Sequence, residues 1–323
     1  MEKEHEKYMR RCLQLARGGE GRVAPNPMVG AVIVCDGRII GEGFHRRWGE
    51  AHAEVNAVRS VRPDDEPLLK RSTIYVSLEP CSHYGKTPPC ARLIIEKQIP
   101  RVVVGCRDPF EKVSGRGIEM LREAGVEVIE GVLEEECREL NRAFITFQTL
   151  RRPYITLKWA RSSDGFIDAA RTSAEVPPAR LSTSLTQISV HHLRARHQAI
   201  LVGHRTLLLD RPSLTVRAWS GRNPQPVVLG RVGEDELPAG WQAYGDIDSL
   251  LEALHRQNIQ TLLVEGGAKT LQSFIDRDLW DEAWEEHSSV VLGGGVAAPK
   301  MPAGVPQDKR VRWGVGFAHW RRR

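Results

Sequence analysis

Apolar residues recur along this chain in short runs separated by stretches of mixed polarity. Val29 to Cys35 is one such run; Asp36-Gly37 follows it, and Arg38-Ile39-Ile40-Gly41 resumes the pattern. Asp-Gly between two such runs predicts a β-hairpin. Helical spacing is then expected over 52–60, 89–98, 115–124 and 132–149, and strands at Thr73–Leu78, Arg101–Gly105 and Val126–Ile129. Strands alternating with helices of about ten residues predict a sheet flanked by helices. The pattern pauses at Arg151-Arg152-Pro153, where the residue before proline is disfavoured in a helix. It restarts with a strand at Tyr154–Trp159, a helix over Ser182–His197 and strands at Ala199–Val202, Pro226–Leu229 and Thr261–Val264. A further helix follows Gly266-Gly267 and runs to about Asp276, while 164–180 and 240–247 read as loops. Two α/β domains are expected, 1–150 and 151–323.

Composition narrows the class. At 323 residues, 41% hydrophobic and 27% charged, the chain is long enough for two cores and unlike a disordered or fibrous protein. No apolar run approaches the ~20 residues of a membrane span. The opening Met1-Glu2-Lys3-Glu4-His5-Glu6 has no apolar stretch behind it, so no signal peptide and a cytoplasmic protein are expected. All six cysteines lie before residue 140, which in that compartment favours thiols or metal ligands over disulfides.

The net charge of +5 is local. Residues 1–150 hold 23 basic and 23 acidic residues, residues 151–308 hold 17 and 18, and residues 309–323 hold six basic and none acidic. With near-neutral domains, neither a nucleic-acid nor a membrane partner is expected, and the end reads as a solvated basic tail.

Chemistry is concentrated first in His52-Ala53-Glu54, Pro80-Cys81 and Cys90. Catalytic zinc takes three protein ligands and keeps a fourth position for water, whose pKa it lowers towards ~7. One histidine and two thiolates meet that count. Glu54, two positions after His52, is placed to carry protons without ligating, the arrangement of zinc deaminases. His45 and His83 are competing ligand candidates. Each alone is more often a hydrogen-bonding or surface histidine.

Around these residues run Ala24-Pro25-Asn26-Pro27-Met28-Val29-Gly30, Gly43-Phe44-His45 and Glu79-Pro80-Cys81-Ser82-His83-Tyr84-Gly85-Lys86-Thr87-Pro88-Pro89-Cys90. Together they closely resemble the deaminase half of the bifunctional riboflavin-biosynthesis deaminase/reductase family. The long loop between the cysteines separates that family from cytidine and tRNA adenosine deaminases. The resemblance implies a cytidine-deaminase-like three-layer α/β/α domain. It implies as substrate 2,5-diamino-6-ribosylamino-4(3H)-pyrimidinone 5′-phosphate, which loses its 2-amino group as ammonia. By that likeness His52, Cys81 and Cys90 bind zinc and Glu54 shuttles protons. Asn26 and His45 contact the pyrimidine or ribose, and Lys86 the phosphate.

The second half carries Leu263-Val264-Glu265-Gly266-Gly267-Ala268-Lys269-Thr270, a strand, a sharp turn and a helix start whose N–H groups can cradle phosphate. It lacks the spacing of a Rossmann fingerprint. Its order with Thr156-Leu157-Lys158, Ser163-Asp164-Gly165, Leu193-Arg194-Ala195, Ala199–Gly203 and Asp210–Arg217 is similar to the reductase half of the same family. That likeness implies a dihydrofolate-reductase-like α/β domain using NADPH to reduce the ribosyl side chain to ribityl. Thr206, Asp210, Gly267, Ala268, Lys269 and Thr270 would hold the cofactor. Lys158, Arg194, Leu214, Arg217 and Glu265 would hold the sugar phosphate. Family members commonly assemble, so a homo-oligomer is expected. Gly230-Arg231 and the segment 171–181 depart from the family pattern. They motivate an alternative: a zinc deaminase whose second domain serves in binding or assembly.

Overall fold

Strand periodicity sorts the apolar residues of the first half onto two faces of one sheet. The computed structural model describes residues 2–84, 88–109 and 115–322. It divides into two units, Met1–Leu150 and Arg151–Arg323. In the first, the elements in order are α1 (Glu2–Ala16), β1 (Gly30–Cys35), β2 (Arg38–Phe44), α2 (Ala53–Arg59), β3 (Thr73–Leu78) and α3 (Cys90–Glu96). They continue with β4 (Arg101–Cys106), α4 (Arg116–Glu123), β5 (Glu127–Ile129), α5 (Glu134–Leu140) and α6 (Arg142–Leu150). The sheet order is β2-β1-β3-β4-β5. The β1–β2 and β1–β3 pairs are antiparallel, β3–β4 and β4–β5 parallel.

Ala31, Ile33, Ile74, Val76, Val102 and Val104 pack on one face with Ala53, Ala57, Ile94 and Leu121 of α2, α3 and α4. Val32, Val34, Tyr75 and Val103 pack on the other with Tyr8, Met9, Cys12 and Cys137 of α1 and α5. The result is three layers, helices on both sides of the sheet. α1 was not visible in the apolar pattern, because only Tyr8, Met9, Cys12, Leu13 and Ala16 of its fifteen residues are buried. The helix expected over 132–149 is two helices, parted at Asn141.

The second unit contains β6 (Tyr154–Arg161), β7 (Phe166–Asp168), α7 (Ser184–Arg196), β8 (Ala199–Gly203), α8 (His204–Asp210), β9 (Gln225–Leu229) and β10 (Gln242–Tyr244). Next come α9 (Ile247–Arg256), β11 (Thr261–Val264), α10 (Ala268–Asp276), β12 (Glu282–His287), β13 (Val296–Ala297), β14 (Gln307–Arg312) and β15 (Val315–Arg321). Eight strands form a sheet in the order β10-β9-β8-β11-β6-β12-β15-β14. The first six run parallel, and β15 and β14 join antiparallel. Ile155, Leu157, Leu201 and Val264 pack against Leu250, Leu254, Leu271 and Phe274 of α9 and α10. Ile200, Val202 and Leu263 face the opposite side, with Leu193 of α7.

Two expected loops each hold a short strand, β7 within 164–180 and β10 within 240–247. The expected basic tail is the hairpin β14–β15, with Lys309, Arg310 and Arg312 exposed on the edge strand. Charged side chains on an open edge discourage pairing with another chain.

Gly230, one of the family departures, is required by the backbone. Its φ is +134°, and an added Cβ would lie 2.8 Å from the Cβ of His204. Its N–H donates to the Tyr244 carbonyl at 2.8 Å, joining the chain just after β9 to the end of β10. Gly230→Asp should therefore lower the stability of the second unit by about 1–3 kcal/mol, read as a drop in the melting temperature of the transition that includes this unit. An unchanged Tm would show that the turn adapts.

Candidate functional site

His52, Cys81 and Cys90 come from three elements that meet beyond the ends of strands. His52 is extended (φ −69°, ψ 168°) and caps the start of α2. Cys81 follows β3, and Cys90 is the first residue of α3, entered through Pro89. Nδ1 of His52 stands 3.7 Å from Sγ of Cys81 and 3.4 Å from Sγ of Cys90. All three ligand atoms lie within 4.8 Å of one another. Zinc bonds of ~2.3 Å to sulfur and ~2.0–2.1 Å to nitrogen at tetrahedral angles require ligand edges of about 3.5–3.8 Å. The trio fits zinc. It is the one such group among the described residues.

The backbone N–H of Cys90 donates to Sγ of Cys81 at 3.3 Å, as a helix start does for a thiolate. Hydrogen bonding from Cys90 holds the Cys81 thiol down at about 4, and the same bond, with burial, pushes Cys90 up. The Cys81 contact raises His52 to about 9. Glu54, in the first turn of α2, is buried and contacts Cys90; burial pushes its carboxyl up to about 7.

His45 is buried beside this trio, its ring 5.4 Å from that of His52 and edge-on to it. Its Nδ1 is 3.1 Å from the Ala51 carbonyl and its Nε2 3.1 Å from the Asn26 amide nitrogen. A carbonyl only accepts, so Nδ1–H donates to it and Nε2 accepts from Asn26. Burial lowers the His45 pKa, in keeping with that neutral form. His45 therefore orients Asn26 and is not a ligand; His83 is exposed and outside the trio. Lys86 lies outside the described residues.

Two supporting residues escaped the sequence reading. Asn141 accepts from Met28 N at 2.8 Å and donates to Met28 O at 2.9 Å, fixing the turn that carries Asn26. Glu79 accepts from the backbone N–H groups of Asp108 (3.2 Å), Gly115 (3.0 Å) and Gly117 (3.1 Å), anchoring the approach to Cys81. An asparagine inside a helical pattern was the available signal for the first. A glutamate leading directly into Pro-Cys was the signal for the second.

In the second unit, β8 hands its chain towards β9 on one side, whereas β11 leads through α10 to β12 on the other. Ligands of open α/β sheets bind at such a switch point, beyond the carboxyl ends of the strands. Gly203, Thr206 and the segment Gly266–Thr270 meet there. Gly267 has φ +69° and caps α10, and a Cβ on it would stand 3.2 Å from Oγ1 of Thr206. A Cβ at Gly203 would reach 2.4 Å from Oγ1 of Thr270. This open backbone at a helix start fits the phosphates of a dinucleotide. Asp210 pairs with the buried Arg171, which also pairs with Asp168. Thus the segment that departs from the family is tied to a predicted cofactor residue.

Arg194 and Glu265 face each other in a bidentate pair, at 2.9 and 2.6 Å. Arg194 also donates to the Thr215 carbonyl at 3.2 Å. Leu214 is buried in the left-handed region (φ +51°), a costly conformation for leucine that marks a constrained loop. Arg217 is exposed, its guanidinium on the hydroxyls of Ser213 and Thr215. Lys158 points to the same face of the sheet as Glu286 of β12, Nζ 3.8 Å from its carboxylate.

Comparison with known proteins agrees with both halves. A cytidine and deoxycytidylate deaminase zinc-binding region matches residues 2–106, and a RibD C-terminal domain matches residues 153–315. Riboflavin biosynthesis protein RibD of Bacillus amyloliquefaciens is 38% identical over 93% of this chain and 88% of its own length. That of a Synechocystis strain is 42% identical over 93% and 81%. The crystal structure of a diaminohydroxyphosphoribosylaminopyrimidine deaminase/5-amino-6-(5-phosphoribosylamino)uracil reductase from Thermotoga maritima is 38% identical. It superposes with a TM-score of 0.87 over 99% of both chains. No helix among the described residues is long and apolar enough to cross a membrane. The chain belongs to the RibD family: it is a bifunctional enzyme of riboflavin biosynthesis, with a cytidine-deaminase-like zinc domain followed by a dihydrofolate-reductase-like, NADPH-dependent domain.

Proposed function

We propose that residues 1–150 deaminate 2,5-diamino-6-ribosylamino-4(3H)-pyrimidinone 5′-phosphate and that residues 151–323 then reduce its ribosyl side chain to ribityl. The observation that carries this reading is the zinc-compatible spacing of His52, Cys81 and Cys90 beside a buried Glu54. The two activities named for the Thermotoga maritima relative support it.

Zinc, when bound, supplies the Lewis acidity that makes water a nucleophile at neutral pH. His52 Nδ1 and the two sulfurs would hold it. Glu54 takes a proton from the attacking water and delivers one to the departing amine. Asn26, oriented by His45, contacts the pyrimidine or ribose, and Lys86 meets the phosphate as a point charge.

NADPH supplies the hydride of the second step. Thr206, Asp210 and the helix start at Gly267, Ala268, Lys269 and Thr270 hold it. Arg217, with Arg194, Glu265 and Leu214, holds the sugar phosphate, and Lys158 orients the sugar. Arg194 is already engaged by Glu265, so Arg217 is the cation that reaches the phosphate from solvent. We extend the reading to a cytoplasmic homo-oligomer.

Incubation with the diaminopyrimidine phosphate should release ammonia without NADPH and oxidise NADPH when it is added. Ammonia release with no NADPH consumption would remove the second half of the reading. Glu54→Gln should lower ammonia release by at least about 10²-fold while metal analysis still finds zinc. Loss of the metal would assign Glu54 a ligand role instead. Arg217→Ala should raise the reductase KM for the sugar phosphate roughly tenfold or more and leave deamination intact. A matching fall in both activities would contradict separate sites.

A further inference from the structure

Glu286 is a carboxylate in an unusual position. It lies in the second half of β12, its side chain 1% exposed, on the sheet face that carries α7. Its oxygens accept from Ser182 Oγ at 2.7 Å and from Thr186 Oγ1 at 2.6 Å. Thr186 also belongs to the capping box at the start of α7, where its Oγ1 accepts from Thr183 N at 2.9 Å. Hydroxyls are neutral donors, and a buried carboxylate needs a countercharge as well. Lys158 provides it, with Nζ 3.8 Å away and its own side chain 14% exposed. That distance exceeds a hydrogen bond. The ammonium is therefore held by charge, and its protons remain available for a ligand.

Register puts this pair at the reductase site. Lys158 pairs with Trp284 of β12, and on its other side Leu157 pairs with Val264. The residue after Val264 is Glu265, locked to Arg194. Lys158 thus stands between Glu286 and the Arg194–Glu265 pair, level with the carboxyl end of β11.

We propose that Glu286 is a positioning residue of the reductase. With Ser182 and Thr186, it fixes the Lys158 ammonium so that the lysine meets the sugar of the substrate in one orientation. This rests on the role proposed above for Lys158.

The test uses the full-length, zinc-loaded enzyme and the deaminated pyrimidine ribosyl phosphate. Glu286→Gln should lower reductase kcat/KM for that substrate on the order of tenfold. KM for NADPH and the rate of ammonia release should not change. Lys158→Gln should cost at least as much, and in that background Glu286→Gln should cost no more than about twofold. Ser182→Ala removes one donor from the carboxylate and should lower kcat/KM in the same sense by about threefold.

A full tenfold loss from Glu286→Gln in the Lys158→Gln background overturns the proposal, as does an equal rise in KM for NADPH. Lys158→Gln without effect withdraws the lysine from the substrate contacts and overturns the proposal at its premise. Glu286→Gln without effect, in an enzyme that Lys158→Gln cripples, overturns the link to Glu286 alone. Should Glu286→Gln fail to fold, an unchanged kcat/KM in Ser182→Ala overturns it.

Discussion

Burial on both faces of a sheet governs what either unit can do. β3 and β4 in the first unit, and β8 and β11 in the second, carry buried side chains on both faces. Strands covered in this way offer no face to a ligand. Their chemistry is confined to the ends, where chain leaves strand and backbone N–H groups at helix starts have no partner within the helix. The first unit uses that edge for Cys81 after β3 and Cys90 at the start of α3. The second places Gly203, Glu265 and the turn into α10 there.

The same burial makes carboxylates the tools that shape these ends, and the donors around each decide its task. Glu79 accepts three backbone N–H groups and so fixes a loop. Glu265 meets a guanidinium squarely and locks α7 to the end of β11. Glu54 has burial as the main influence on it, which pushes its carboxyl up to about 7. A carboxyl raised in this way by burial is suited to proton transfer, whereas Glu79 and Glu265 act as anchors through the donors they accept. Four acidic side chains that look alike in sequence, with Glu286 the fourth, are thereby separated by their surroundings.

What could be read from the sequence follows from this. The zinc trio was legible because few residue types, in a fixed order, meet a specific coordination count. The central strands were legible as continuous apolar runs. β12 was not, because Glu282, Glu285, Glu286 and His287 make it look like a solvated segment. Its charges are buried only because partners from β6, α7 and β15 converge on them. Trp159 donates to Glu285 at 2.9 Å, and Arg161 lies 3.0 Å from it. His319 of β15 lies 3.5 Å from Glu282. Asn141 was read through as helix because its partner, the Met28 backbone, is over a hundred positions away. Where a residue is held by distant chain, local spacing carries no trace of it.

Charge shows the same division between local and distant causes. The excess of +5 pointed to the last fifteen residues, of which 309–312 lie on the edge strand β14 and 315–321 form its neighbour β15. Lys309, Arg310 and Arg312, exposed on β14, guard an open sheet edge, a task that requires charge but no particular ligand. Two of the cations expected to handle substrate behave differently. Arg194 and Lys158 sit mostly buried against Glu265 and Glu286, so they add nothing to the net charge of their unit. Lys158 and Arg194 are held by buried carboxylates, whereas the exposed Arg217 rests on the hydroxyls of Ser213 and Thr215. Net charge thus marks the edge of this fold, and cancelled charge marks the place proposed for its reductase site.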